Sequence, residues 1–172
     1  VDPHLHRISR LEQAVPVDNA LSLSATKAMC EFIAERFQSP VILGPDIESL
    51  QWVKQVSATH GWQHDVCLKT RLGDRRVKIA LPDMSVSGKS VVLIDDVASS
   101  GQTLIEAAKG CFENGASSVD VIVTNALFVD KAESQLMQIG VNNVWRTDSV
   151  THHTNAIQLD RLLGDALKPM LT

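Results

Sequence analysis

The chain has 172 residues, which is enough for one well-buried domain and too few for two comfortable ones. Hydrophobic residues make up 44% and charged residues 21%, which argues against a disordered, collagen-like or coiled-coil protein. The net charge of −4 disfavours a nucleic-acid partner, because such binding depends on neutralising phosphates with basic residues. The sequence has no apolar run near the roughly 18 residues of a bilayer-spanning helix, so we expect no membrane partner.

The cysteines bear on the cellular compartment of the protein, and the amino terminus bears on whether the sequence is a piece of a longer one. Cys30, Cys67 and Cys111 each lie in an apolar segment, as small reduced core residues do. With no secretory leader visible, we expect a cytoplasmic protein. We expect one domain over residues 1–172. Because the chain begins at Val1 without an initiating Met, we also expect it to be a processed or truncated piece of a longer protein.

The first third of the chain predicts two helices and two strands. Ser22 or Ser24 can cap a helix with apolar residues at helical spacing through Phe37. A short buried strand is predicted over residues 40–44, a helix over 48–57 and a second strand over 64–68.

Residues 69–78 form a basic segment. With five basic residues and one acid it carries +4, whereas the rest of the chain carries −8. Such a patch in an acidic body attracts a small polyanion better than a long one. The alternative is a solvated edge hairpin that uses Lys and Arg to prevent strand pairing.

The rest of the chain alternates strands with helices. Strands are predicted over residues 91–94, 119–124 and 143–146, and helices over 104–112 and 132–139. The continuous apolar run VVLI at 91–94 is typical of a parallel strand covered on both faces. We therefore expect an α/β fold: a mostly parallel sheet flanked by helices in three layers, with ligands at the carboxyl ends of the strands. His152 and His153 are assigned to a loop, and the scattered Trp52, Trp62 and Trp145 to the core or to subunit contacts.

Residues 95–103 carry the most chemical information. The buried strand is predicted to end in two carboxylates, followed by a small, hydroxyl-rich turn that opens onto a helix. The free N–H groups of a first helical turn attract a phosphate, and hydroxyls and a flexible Gly add to such a site. Adjacent carboxylates would repel the phosphate but can accept hydrogen bonds from vicinal sugar hydroxyls. The pattern favours a pentose phosphate bound by Asp95, Asp96, Ser99, Ser100, Gly101, Gln102 and Thr103.

Simpler explanations exist for each half of this segment. Ser-Ser-Gly before a helix can be an ordinary N-cap, and the acid pair can be held by a nearby Lys. A dinucleotide site is disfavoured, because neither G-x-G-x-x-G nor G-x-x-x-x-G-K-[ST] follows any predicted strand.

Residues 95–103 resemble the phosphoribosyl-diphosphate (PRPP) binding loop of type I phosphoribosyltransferases and of ribose-phosphate pyrophosphokinases (PRPP synthases). That loop has two acids, two apolar residues, Asp or Ser, Thr or Ser, Gly, any residue and Thr; Ser100 replaces the more usual Thr. Three other segments resemble the synthase in the synthase's order: DPHLH at 2–6, GPDIES at 44–49 and KTR at 69–71. Glu48 and Ser49 stand where the usual bacterial form has paired glycines, and these two residues and Ser99 resemble those of archaeal-type members.

The resemblance implies a role for each of these segments. His4 and Asp46 would contact Mg²⁺, although Mg²⁺ prefers oxygen and the two form a weak site unless substrate phosphates complete it. Lys69 and Arg71 would be catalytic, with the basic segment as a mobile lid.

The resemblance also implies the reaction, in which the 1-hydroxyl of ribose 5-phosphate attacks ATP to give PRPP and AMP. Residues 1–20 would be the lead-in from an absent amino-terminal half, leaving the fragment only partly competent, and the protein would form a homo-oligomer. Two alternatives stay open: a phosphoribosyltransferase that uses PRPP and a nucleobase, and a non-catalytic regulatory subunit associated with the synthase.

Overall fold

Parallel strands form the centre of the molecule, and helices cover both faces of the sheet. The computed structural model describes residues 1–5, 11–15, 17, 20–71, 77–128 and 131–170. The strands are β1 (Val41–Gly44), β2 (His64–Val66), β3 (Leu68–Arg71), β4 (Val77–Ala80), β5 (Ser90–Ala98), β6 (Ser118–Ala126), β7 (Val144–Thr147) and β8 (Asn155–Ile157). The helices are α1 (Thr26–Ala34), α2 (Leu50–Ala58), α3 (Gln102–Glu113), α4 (Ala132–Gln138) and α5 (Asp160–Leu167), with short 3₁₀ helices at Leu11–Gln13, Ile47–Ser49 and Lys168–Met170.

The strand order of the main sheet places its switch point between β1 and β5. The order is β2-β1-β5-β6-β7-β8, and every neighbouring pair is parallel. From β1 the chain passes to β2 on one side, and it later returns to β5 on the other side. In open parallel sheets, ligands bind outside the carboxyl ends of the strands at such a point.

Two apolar layers lie on opposite faces of this sheet. Val91 and Leu93 of β5 pack with Leu104 and Ala108 of α3 on one face. On the other face, Val92 and Ile94 pack with side chains of α1 and α2. Because successive strand residues point to opposite faces, the VVLI run fills both layers, and the predicted three-layer α/β fold is confirmed.

Several predicted bounds change. The first helix begins at Thr26 with Ala25 as its N-cap, which makes no side-chain cap bond. The predicted serine is one residue further out, where the hydroxyl of Ser24 accepts the backbone N–H of Thr26 at 3.4 Å. The predicted strand 64–68 is interrupted at Cys67, after which β3 leaves the main sheet and pairs antiparallel with β4. The hairpin alternative for the basic segment is therefore correct for its backbone. β8 and α5 had no predicted counterpart.

The predicted states of the cysteines and tryptophans hold. Cys30, Cys67 and Cys111 are buried free thiols. Trp52 and Trp62 lie in the core, and Trp145 packs edge-on against Phe32 and Phe37. None of the described helices is long and apolar enough to span a membrane.

Candidate active site

The acid pair lies where β1 stops and β5 continues. The ladder between these strands ends at Leu43 and Leu93, whereas β5 stays paired with β6 as far as Ala98. Asp95 and Asp96 are thus inside β5 rather than beyond its end, which corrects the predicted strand boundary. The end of β1 leaves one edge of β5 without a strand neighbour at this height, which opens the crevice at the switch point.

The two carboxylates differ in their surroundings. Asp96 is almost fully buried, with 2% of its side chain exposed, and it lies on the α1/α2 face. Asp95 is partly buried on the opposite face. Burial, followed by the charges of Asp96 and then Asp46, raises the pKa of Asp95 well above its usual range. Three carboxylates within electrostatic reach favour hydroxyl donors or a cation between them.

Asp2 fixes the amino-terminal segment to the core. Its buried carboxylate accepts hydrogen bonds from the backbone N–H of Ala25 (2.9 Å), the indole N–H of Trp52 (2.9 Å) and the hydroxyl of Thr124 (3.1 Å). Its own backbone N–H donates to the carbonyl of Leu23 at 2.8 Å. A buried charge with three donors is well compensated, so this end of the chain is held in register.

His4, two residues later, reaches the acid pair. Its Nδ1 lies 2.6 Å from Oδ2 of Asp96, and its Nε2 lies 3.9 Å from Oε2 of Glu48. Because an ionised carboxylate can only accept, we assign a proton to Nδ1. With 31% of its side chain exposed, the imidazole lies at the surface of the crevice.

The turn after β1 brings Asp46 to the same edge. A Cβ on Gly44 would lie 2.2 Å from Oγ of Ser49 and 2.8 Å from Val66, so only glycine fits there. Asp46 caps the 3₁₀ helix: its carboxylate accepts the N–H of Glu48 at 3.1 Å, and Ser49 donates its hydroxyl to the Asp46 carbonyl. Asp46 thus has a structural role and also contributes charge beside Asp95.

The turn between β5 and α3 passes through a left-handed glycine before the helix begins. Ser99 and Ser100 are exposed, and Gly101 is left-handed with φ of 66°. Gly101 is the N-cap of the 12-residue α3 and has no side chain with which to cap it. The first-turn N–H groups and the positive end of the helix dipole therefore favour an anion here.

The remaining predicted residues lie on the hairpin. The backbone of Lys69 pairs with Ile79 and that of Arg71 with Val77. The N–H of Cys67, just before β3, donates to the carbonyl of Gly44 at 2.8 Å, which joins the base of the hairpin to the end of β1. The side chains of Lys69 and Arg71 and all of residues 72–76 lie outside what the structure describes, so their roles and the predicted lid stay predictions.

The predicted metal ligands, His4 and Asp46, both have other partners in the structure. In the described part of the chain, the protein by itself supplies no group of three or more His, Cys, Asp or Glu side chains placed to hold an ion. The Nδ1 of His4 is engaged by Asp96, and one Asp46 oxygen caps a helix. These donors fit a hard divalent cation only if a ligand supplies most of the oxygens.

Comparison with known proteins defines the family. The phosphoribosyl transferase domain matches residues 18–159. The chain belongs to this family. That match covers the crevice, from the turn of Asp46 to the β5–α3 loop, and excludes the segment of Asp2 and His4.

Curated relatives are similar to most of the chain. A ribose-phosphate pyrophosphokinase from Methanopyrus kandleri is 29% identical over 156 residues, which are 90% of this chain and 53% of the relative. One from Methanosarcina acetivorans is 31% identical over 150 residues, 87% of this chain and 53% of the relative. The resemblance to archaeal pyrophosphokinases is confirmed, and the chain spans about half the length of these relatives.

Solved structures confirm the phosphoribosyltransferase fold. The phosphoribosylpyrophosphate synthetase of Mycobacterium smegmatis matches with a TM-score of 0.70 and 21% identity, over 86% of this chain and 50% of that chain. The purine phosphoribosyltransferase of Pyrococcus horikoshii matches with a TM-score of 0.54 and 21% identity, over 72% of this chain and 81% of that one.

Sequence reasoning missed two parts of the site. Asp2 is the anchor of the segment, although only His4 had been given a function, and Trp52 is its indole donor. Glu48 faces the second nitrogen of His4. An acid next to Pro in a terminal segment was the available signal for Asp2, but its partners lie 23, 50 and 122 residues away along the chain.

Proposed function

We propose that the intact protein transfers diphosphate from ATP to ribose 5-phosphate, giving PRPP and AMP. The observation that carries this proposal is the contact of His4 with Asp96 across 92 residues. A phosphoribosyltransferase that consumes PRPP needs the β5–α3 loop, but it has no evident need for a second segment fixed against the same carboxylates. The similarity to archaeal ribose-phosphate pyrophosphokinases, which covers 90% and 87% of this chain in two of them, supports the same choice.

The β5–α3 loop would bind the sugar phosphate. The N–H groups at the start of α3, with the hydroxyls of Ser99, Ser100 and Thr103 and the amide of Gln102, would hold the 5-phosphate. Asp95 and Asp96 would accept hydrogen bonds from the ribose hydroxyls, which would offset the repulsion between the two carboxylates.

In the transfer step, the ribose 1-hydroxyl oxygen bonds to the β-phosphorus of ATP. The bond from that phosphorus to the oxygen bridging the α- and β-phosphates breaks, AMP leaves, and the hydroxyl proton passes to solvent. Lys69 would supply a point charge and Arg71 a two-pronged donor to oxygens that gain charge in the transition state. Their place on a hairpin joined to the end of β1 suits residues that close over bound phosphates.

Magnesium is the proposed cofactor. A bound Mg²⁺ would neutralise phosphate charge, with His4 and Asp46 as the protein groups nearest to it and phosphate oxygens as its main ligands. Asp46 holds its own loop in place whether or not an ion is present, because its carboxylate caps the 3₁₀ helix.

Other features of the intact protein are proposed with the reaction. Residues 1–172 would form one domain, with residues 1–20 leading in from a separate amino-terminal half. The protein would be a cytoplasmic homo-oligomer. Its buried free thiols suit a reducing compartment.

AMP formation from ATP and ribose 5-phosphate in the full-length protein tests the proposal. We expect Lys69→Ala to lower the rate about 100-fold or more while ribose 5-phosphate still binds in calorimetry. Lys54→Ala, which removes an exposed lysine of α2, is the matched control and should leave the rate unchanged.

Two outcomes would replace the proposal. Release of pyrophosphate from PRPP on addition of a nucleobase, without AMP formation, would identify a phosphoribosyltransferase. Sugar-phosphate binding with neither reaction would identify a regulatory subunit.

A further inference from the structure

A second cavity lies beside the β5–α3 loop and is not used by the proposed reaction. It encloses about 550 Å³ at the carboxyl ends of β6 and β7, and its lining includes Phe128, Glu133, Arg146, His152 and His153. This volume lies within the range of small-molecule sites. The Phe128 ring lies between this cavity and the loop. It is next to Gly101, where an added Cβ would be 3.6 Å from the ring.

Arg146 is the unusual residue of this cavity. It is 2% exposed and lies in β7 two residues after Val144, so both side chains point to the same face of the sheet. Val144 packs there in the apolar layer beneath α3 and α4. Its Nη2 donates to Oε2 of Glu133 in the first turn of α4, and its guanidinium carbon lies 5.2 Å from the Phe128 ring centre. Its Nε–H is buried and has no hydrogen-bond partner among the described residues.

Stability alone does not explain this arrangement. A buried ion pair is often no more stabilising than apolar residues of the same volume, because both charges lose their hydration. An unsatisfied buried donor adds a further cost. A strand position in an apolar layer would be filled more favourably by Val or Leu, so the guanidinium indicates binding.

Two imidazoles lie in the same lining. The rings of His152 and His153 have centres 4.2 Å apart. The backbone N–H of Thr154 donates to Nδ1 of His152 at 3.2 Å, so in the neutral ring the proton is on Nε2. His152 can therefore donate a hydrogen bond from Nε2 without becoming charged.

We propose that this cavity binds a small oxyanion, a phosphate or carboxylate group of a metabolite, with Arg146 as its principal donor. Glu133 holds the guanidinium in the lining through Nη2 and leaves the buried Nε–H unpaired by any residue that the structure describes, and His152 and His153 complete the lining. The proposal does not depend on the reaction assigned to the neighbouring site.

Titration of the full chain with inorganic phosphate, and separately with succinate, tests this site. The imidazole NMR signals of His152 and His153 report binding, against sodium chloride at equal ionic strength. We expect saturable shifts with at least one anion. The double variant Arg146→Met with Glu133→Gln removes both charges together. In this variant, half of the full shift should require an anion concentration about tenfold or more higher than in the wild type. Arg36→Met, at an exposed arginine, and Ser100→Ala, in the neighbouring loop, should leave the shifts unchanged.

Each result has a defined meaning. Shifts with phosphate alone identify a phosphorylated ligand, and shifts with succinate alone a carboxylic acid. Absence of saturable shifts with both, or equal shifts in the double variant, would overturn the proposal. Arg146→Lys keeps the charge but removes the Nε–H edge, so it gives the same test, with several-fold weaker binding expected, if the double variant does not fold.

Discussion

The indole N–H of Trp52 donates to the Asp2 carboxylate at 2.9 Å, and this bond helps to hold the segment that carries His4. Trp52→Phe keeps most of the buried ring but removes the donor. We expect a loss of about 1–3 kcal/mol in the free energy of unfolding, because the acceptor is a buried charge. AMP formation should also fall, since His4 would be less well positioned against Asp96. Chemical denaturation and rate assays on the intact protein measure the two effects.

Trp62→Phe is the matched control for this variant. Trp62 is equally buried but stacks on His60, away from the amino-terminal segment. The Trp62→Phe variant should lower stability through lost packing, while the folded protein should form AMP at the normal rate. Equal rate losses in both variants would refute a specific role for the Asp2 bond.

Gly101 combines a left-handed backbone with a close neighbour. At φ of 66°, a Cβ would lie 3.1 Å from Cβ of Ala132, so Gly101→Ala adds steric contact to backbone strain. We expect a stability loss of about 1–2 kcal/mol or more and weaker ribose 5-phosphate binding. Gly61→Ala has the same strain at φ of 63° with nothing within 4 Å. If Gly61→Ala weakens calorimetric binding as much as Gly101→Ala, the loop does not form the site.

We expect Asp95 to destabilise the folded chain at neutral pH. Its folded-state pKa lies above the unfolded value, so folding is increasingly disfavoured as pH rises from the unfolded pKa through the folded one. Asp95→Asn should raise the melting temperature at pH 7, by about 2–4 °C for each 1 kcal/mol relieved. This gain in melting temperature should shrink as pH falls. The variant should also bind ribose 5-phosphate less tightly than the wild type does.

Asp83→Asn, at an exposed aspartate, is the control for charge removal and should leave the melting temperature nearly unchanged. A lower melting temperature for Asp95→Asn at pH 7 would show that Asp95 is paired with a cation in the free protein.

The buried thiols should resist modification. Burial raises the pKa of Cys67 and of Cys111 to about 12, and it also raises the pKa of Cys30. Little thiolate exists at pH 8, and reagents cannot reach it without local opening. We expect slow alkylation of native protein and rapid modification of all three in denaturant, measured by mass spectrometry. Rapid alkylation of native Cys67 would indicate that the hairpin base opens readily.

The sequence by itself determined the local parts of the fold. Apolar residues at helical spacing and short apolar runs predicted the helices and strands of the three-layer α/β fold. The run at 91–94 predicted a parallel strand covered on both faces, because burial on both faces requires a continuous apolar strand. Residues 95–103 predicted the loop between β5 and α3, since acids, hydroxyls and Gly101 are contiguous there.

Only the tertiary structure decided which distant groups meet. The strand order placed the switch point between β1 and β5, and it brought Asp46 beside Asp95. The contact of His4 with Asp96, and the pairing of buried Arg146 with Glu133, join different elements of the sheet and its helices. No local pattern encodes these contacts, because they follow from how separate strands order themselves in one sheet and from which helices cover each face.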